Sequence, residues 1–111
     1  MHVRYIDRET GVDEVFSVNV NSFNPEAIER AVYRKLDIPD DEIDEMLGMA
    51  DGDPYTAGHK GKVEGFDYFI SEMSGADMPA IFIIGDRNQE VDVDQFFDED
   101  GSLNLPRGNF R

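Results

Sequence analysis

The first part of the chain alternates apolar and polar residues in the way that paired strands do. A short strand is predicted from Val3, Tyr5 and Ile6, and residues 14–20 place Phe16, Val18 and Val20 at every second position. Between the two stretches, residues 7–11 end in Gly11, which can adopt the positive φ that tight turns need. The pattern predicts an N-terminal β-hairpin.

The apolar spacing then changes to that of a helix. Asn24 followed by Pro25 is a favourable helix start, and the apolar stripe after it is Ile28, Ala31, Val32 and Leu36. Pro39 interrupts this helix, and a second helix is predicted from Asp40, with the apolar stripe Ile43, Met46, Leu47 and Ala50.

The second half of the chain contains shorter elements. Glycine and proline predict a loop over residues 51–61. Residues 63–73 fit a strand or a helix, and their aromatic content slightly favours a strand. The apolar run over residues 79–84 predicts a central strand, the acid–valine alternation over residues 90–94 predicts another, and residues 101–111 have no clear pattern.

These elements predict a single α+β domain over residues 1–111. We expect a small, largely antiparallel sheet built from the hairpin and two to three further strands, with a single layer of helices on one face. The other face of the sheet is expected to be open and, with the second helix, to hold most of the acidic residues.

Charge is the feature that most restricts the function. The chain of 111 residues has 25 acids and 10 bases, a formal net charge of −15. Residues 1–36 hold six acids against five bases, whereas residues 37–111 hold nineteen acids against five bases. This charge disfavours direct contact with nucleic acid or anionic lipid and favours a basic partner. The absence of cysteine and of any long apolar run indicates a cytoplasmic protein without a membrane segment.

Catalytic chemistry has weak support. The two histidines, His2 and His59, adjoin no nucleophile motif, and residues 58–62 combine glycine and lysine without the spacing of a phosphate-binding loop. We therefore expect no catalytic residues, no cofactor and no metal. Residues 98–104 resemble a calcium loop, but Phe96 and Arg107 occupy the positions where an EF-hand needs oxygen ligands.

Two stretches concentrate the acid. Asp40 and Asp44, like Asp41 and Glu45, are four residues apart, about 6 Å along a helix, and the stretch from residue 37 to residue 53 contains no base. In the predicted strand, carboxylates would follow one face at steps of about 6.6 Å; these are Glu90, Asp92 and Asp94. Candidate partner anchors beside the two stretches are Phe96, Phe97 and Tyr55.

The leading functional hypothesis is an acidic inhibitor or binding module that covers a basic surface of a partner protein, as a monomer or homodimer. It could imitate nucleic acid, as a phage antirestriction or anti-CRISPR protein would, or neutralise a basic toxin, as an immunity protein would. One alternative is a cation-binding or small hydrolytic domain that uses Asp98–Asn104, with His59 as an acid–base group. Others are a structural component of a larger assembly, an acidic surface that serves solubility, and the surface bias of a halophilic source.

Overall fold

The computed structural model describes residues 1–49, 52, 54–55, 59–71 and 80–101. Its strands are β1 (His2–Asp7), β2 (Val12–Ser17), β3 (His59–Val63), β4 (Phe66–Ser71) and β5 (Ala80–Ile84). They form one five-stranded sheet in the order β2-β1-β5-β4-β3, and each neighbouring pair is antiparallel. Two α-helices, α1 (Pro25–Lys35) and α2 (Asp40–Met46), come between β2 and β3 in the chain. Two 3-10 helices follow β5, at Asn88–Glu90 and Val93–Phe96. The predicted α+β class is confirmed.

The N-terminal hairpin is present as predicted. β1 and β2 pair with Val3 opposite Phe16 and Tyr5 opposite Glu14. Gly11 has φ +81° in the turn, a conformation that is accessible to glycine at little cost. The hairpin places Arg4 and Ile6 on one face of the sheet and Val3 and Tyr5 on the other, because successive side chains alternate along a strand.

The two helices cover one face of the sheet. The Asn24 side chain accepts a hydrogen bond from the backbone N–H of Ala27 at 3.2 Å, and Pro25 begins α1, as the capping rules predict. Both helices contribute buried residues to one core with the sheet, and this helical core contains Val3, Tyr5, Val18, Ile28, Val32, Tyr33, Ile43, Leu47, Phe69, Ala80, Phe82 and Ile84. Phe69 and Phe82 stack at its centre with ring centroids 4.5 Å apart.

The second face of the sheet is also covered, and the expectation of an open face is wrong. The segment that contains the two 3-10 helices lies over this face and buries Val91 and Phe96. The second core consists of Ile6, Val63, Tyr68, Ile70, Ile81, Ile83, Val91 and Phe96. The side chains of β5 alternate between the two cores, which explains why this central strand is apolar at every position.

One local assignment differs from the sequence-based expectation. Residues 59–61 were expected to lie in a loop but belong to β3, which pairs with β4 through a two-residue turn. Both turn residues, Glu64 and Gly65, have positive φ (50° and 87°), as a type I′ hairpin requires. Residues 63–73 are strand-forming over Phe66–Ser71, as favoured. Ala50, Met73 and the tail beyond Gly101 lie outside the described residues.

Candidate functional site

A strongly acidic surface follows β5 in the chain. Between residues 86 and 100 the chain has seven acids and one base, Arg87. All seven acids are exposed, and we refer to them together as the acidic face: Asp86, Glu90, Asp92, Asp94, Asp98, Glu99 and Asp100. The segment lies over the second core, so the position of these carboxylates depends on how the segment is attached to the sheet.

A buried arginine attaches the beginning of this segment to β1. Arg4 Nη1 donates to the backbone oxygens of Asn88 and Val91, at 3.2 and 2.9 Å. The Nε and Nη2 atoms of Arg4 donate to the two carboxylate oxygens of Asp13, each at 2.8 Å. The hydrogen bonds from this guanidinium hold the pKa of Asp13 below its ordinary value. Arg4 therefore joins β1, β2 and the first 3-10 helix through one side chain.

Two adjacent aromatic residues attach the end of the segment in different ways. Phe96 is fully buried and packs edge-on against Tyr68, with ring centroids 5.1 Å apart. Phe97 is half-buried, with the Arg8 guanidinium 4.2 Å from its ring centroid. Phe96 is a core residue in this structure and has no surface to offer as a partner anchor, whereas Phe97 keeps part of its surface.

The predicted strand over residues 90–94, with its evenly spaced carboxylates, is wrong. Asp92 caps the second 3-10 helix by accepting from the backbone N–H of Asp94 at 3.1 Å, and this cap replaces the strand conformation. Glu90 ends the first 3-10 helix and pairs with Arg87 at 2.8 Å, and Asp94 pairs with Arg8 at 2.6 Å. The three carboxylates remain on the acidic face but do not form a regular ladder.

The acids of α2 are on the opposite side of the molecule. Ile43 of α2 lies in the helical core, whereas the acidic face covers the second core. Two of the four candidate acids meet arginines of α1: Asp44 lies 2.8 Å from Arg30, and Asp40 lies 3.0 Å from Arg34. The stretch itself contains no base, as the sequence shows, but arginines of α1 pair with two of its acids.

The other two of the four candidate acids have no such neighbour. Asp41 and Glu45 are exposed and make no ion pair with any residue that the structure describes. Because the α2 acids and the acidic face are on opposite faces of the sheet, one flat partner surface cannot contact both of them.

A buried carboxylate in the helical core has no counterpart in the sequence-based predictions. Glu29 is fully buried and accepts hydrogen bonds from Tyr33 at 2.8 Å, Tyr55 at 2.6 Å and Ser71 at 2.5 Å. Burial raises the pKa of Glu29, and the three hydroxyl donors offset part of this rise. The hydroxyl group of Tyr55, predicted as a partner anchor, is thus engaged inside the protein. The sequence carries one sign of this network, the i,i+4 spacing of Glu29 and Tyr33 on one helix face.

The two histidines lie on separate strands, His2 on β1 and His59 on β3. His2 Nδ1 lies 2.6 Å from Asp86 Oδ1 at a cavity of about 420 Å³, but both side chains are more than half exposed. The described residues that line this cavity include no serine, threonine or cysteine that His2 could activate. His59 is exposed on β3.

A cation site receives no support from the described part of Asp98–Asn104. No group of three or more histidine or acidic side chains in the described ranges is arranged to hold a metal ion. Asp98 accepts a hydrogen bond from the backbone N–H of Asp100 at 3.0 Å, which closes a turn. Residues 102–104 lie outside the described ranges.

Comparisons with known proteins give no family for this chain: no protein-family model, no curated protein and no solved structure matches it. Across the described ranges, no helix has the length and apolar character needed to cross a membrane. The function is therefore argued from the surface alone.

Proposed function

We propose that this chain is a protein-binding module that uses the acidic face to cover a basic surface of another protein. The observation that carries the proposal is the attachment of a strongly acidic segment to the sheet at both ends, by Arg4 and by Phe96. Seven exposed acids meet two arginines, Arg87 within the segment and Arg8 from beyond β1, and therefore present a concentrated negative field. Such a field raises the rate of encounter with a cationic surface and excludes anionic partners.

Attachment of the segment matters because binding costs free energy when flexible groups become ordered. Arg4 holds the backbone at Asn88 and Val91, and Phe96 buries its ring against Tyr68. The carboxylates between these points are carried on a fixed backbone before a partner arrives. Pre-organisation of this kind lowers the entropic cost of association.

The acidic face supports the proposal better than the α2 acids do. Asp40 and Asp44 lie beside arginines of α1, which reduces the negative potential that they present. The acidic face has such pairs as well, between Asp94 and Arg8 and between Glu90 and Arg87, so the preference for it rests on the attachment of its segment and on Phe97. Phe97 supplies partly exposed aromatic surface beside the acids, as an interface anchor needs.

A basic protein surface is the partner class that we retain. Imitation of nucleic acid rested on two rows of evenly spaced carboxylates, one on α2 and one on a strand, and the strand row is absent. An inhibitor or an immunity protein needs complementary charge and a few anchors, but it does not need phosphate-like spacing.

The test compares two variants with the same net charge. One variant neutralises three acids of the acidic face, Asp92→Asn, Glu99→Gln and Asp100→Asn; asparagine at position 92 keeps a helix cap. The control variant neutralises three acids of α2, Asp41→Asn, Glu42→Gln and Glu45→Gln. Each protein is immobilised to capture binding proteins from a cell lysate, and association rates with the captured protein are then measured at several salt concentrations.

We expect the acidic-face variant to associate at least about ten-fold more slowly than the wild type, and the α2 variant to associate nearly as fast as the wild type. The wild-type rate should fall as salt is raised. Equal rates for the wild type and the acidic-face variant would exclude the acidic face as the contact surface. Equal slowing of both variants would mean that total charge acts and that no particular surface is recognised.

A further inference from the structure

Strand β2 is at an edge of the sheet, and the hydrogen-bond register shows which of its residues face outward. Gly85 donates to the backbone oxygen of His2 at 3.0 Å, so His2, Arg4 and Ile6 are the residues of β1 that bond to β5. Because bonded pairs alternate in an antiparallel ladder, the intervening residues of β1 bond to β2. Their partners are Val12, Glu14 and Phe16.

The remaining residues of β2 therefore present their backbone groups away from the sheet. The N–H and C=O groups of Asp13, Val15 and Ser17 have no backbone partner among the residues that the structure describes. Among the described residues, Val15 is also one of two large apolar side chains with substantial exposure, at 43%. This edge offers both unpaired backbone groups and an apolar side chain.

The opposite edge of the sheet differs in a way that matters for association. The closing pair of the β3–β4 turn is Val63 with Phe66. The backbone groups of Lys60 and Lys62 therefore point away from the sheet. Lysine on an edge strand discourages pairing with other chains, since its charge would have to approach the incoming strand. The β2 residues whose backbone groups point away from the sheet include no lysine and no proline. The one charged side chain among them, Asp13, is hydrogen-bonded to Arg4.

Charge also makes β2 the most favourable edge for contact between two copies. A chain with net charge −15 repels its own kind. The β1–β2 hairpin, residues 2–17, holds four acids and two bases and so carries little of this charge. Two copies that meet along β2 therefore bring together a part of the chain with only a small negative charge.

We infer that β2 pairs antiparallel with β2 of a second copy, around a two-fold axis at Val15, to form a homodimer with one continuous sheet. In this register Val15 lies opposite Val15 of the second copy, and Asp13 lies opposite Ser17. A pair of β-branched residues at the centre is favourable, and no like charges face each other directly. The inference uses a different surface from the proposed function and does not depend on it.

The expected dimer is weak, because an interface of about six backbone hydrogen bonds and a few side chains is small. Sedimentation velocity from about 1 to 500 µM should show the 12.6 kDa chain doubling its mass as the concentration rises. Val15→Lys places two ammonium groups opposite each other and should raise the dissociation constant at least ten-fold. The matched control, Val15→Thr, keeps a β-branched side chain of similar size and should leave the dimer in place.

A second measurement keeps the test independent of how the lysine variant folds. In a mixture of isotope-labelled and unlabelled wild-type chains, an intermolecular NOE between Val15 methyl groups is expected. A chain that stays monomeric over the whole concentration range overturns the inference. A dimer that lacks this NOE, or that folded Val15→Lys leaves unchanged, overturns it as well.

Discussion

Glu29 Oε2 accepts a hydrogen bond from Ser71 Oγ at 2.5 Å, which joins the middle of α1 to the end of β4 inside the helical core. The same carboxylate accepts from Tyr33 of α1 and from Tyr55, which precedes β3 in the chain. One buried side chain thus connects two elements and a connecting segment that are distant in sequence. A buried carboxylate is tolerated because all three of these neighbours donate to it.

Removal of the Glu29 carboxylate should destabilise the fold strongly. Glu29→Ala leaves a cavity and deprives three hydroxyl groups of their acceptor, and we expect the free energy of unfolding to fall by about 3 kcal/mol. Glu29→Gln keeps the volume and one acceptor oxygen and should cost clearly less. Urea unfolding followed by circular dichroism measures both variants. Equal losses for the two would mean that the hydrogen bonds contribute little.

The contributions of Glu29 and Asp13 to stability should change with pH in opposite directions. Burial raises the pKa of Glu29, so the folded chain binds this proton more tightly than the unfolded chain does. The contribution of Glu29 is therefore complete below its ordinary pKa and is lost as pH rises through the folded value. The pKa of Asp13 is lowered by Arg4, so its contribution is present above its ordinary pKa and is lost as pH falls through the folded value.

Unfolding midpoints measured between about pH 3 and pH 8 check the direction in which each contribution changes with pH. Relative to the wild type, Glu29→Gln should remove the part of the decline that occurs as pH rises above the ordinary range of glutamate. Asp13→Asn should remove part of the decline on the acid side. The assignment of either group is contradicted if its neutral variant keeps the pH slope of the wild type.

The sequence predicts the elements that depend on local patterns and misses the contacts between distant residues. The hairpin, the Asn24 cap of α1 and the apolar strand β5 follow from alternation, capping and composition. The strand expected over residues 90–94 fails because alternation alone cannot reveal that Asp92 prefers to cap a turn.

The candidate site is harder to predict for the same reason. The number and location of acids in residues 86–100 are visible in the sequence. Which acids meet a base is not visible, because Arg30 and Arg34 approach the α2 acids only when the helices pack. Arg4 gives no sign of its role either, since its partners at Asn88 and Val91 are more than eighty residues away.

Arg4 should control the order of the segment that carries the acidic face. Arg4→Met removes two hydrogen bonds to backbone oxygens and the paired contact with Asp13, and we expect a loss of about 2 to 3 kcal/mol in stability. Amide hydrogen exchange should accelerate over residues 88–97 more than in α1. Arg4→Lys keeps the charge but cannot reproduce the planar contacts, so its stability should lie between that of the wild type and that of Arg4→Met. Uniform acceleration across the chain would contradict a local role.

Substitution of Phe96 should lower the stability of the fold far more than substitution of Phe97, although the two residues are adjacent. Phe96 is fully buried against Tyr68, so Phe96→Ala should lower the free energy of unfolding by about 3 to 5 kcal/mol. Phe97 is half-buried beside Arg8, and Phe97→Ala should cost roughly 1 kcal/mol, mainly through the loss of the cation–π contact. Chemical denaturation measures both losses.

The Phe97→Ala variant also tests whether Phe97 is an anchor for a partner. If the acidic face is the contact surface, Phe97→Ala should speed dissociation of the captured partner while the fold stays intact, because interface anchors act mainly on dissociation. Phe97→Leu keeps apolar volume and provides the control, with a smaller effect expected. An unchanged dissociation rate in folded Phe97→Ala would remove Phe97 from the interface and leave the acids of this face to act without an aromatic anchor.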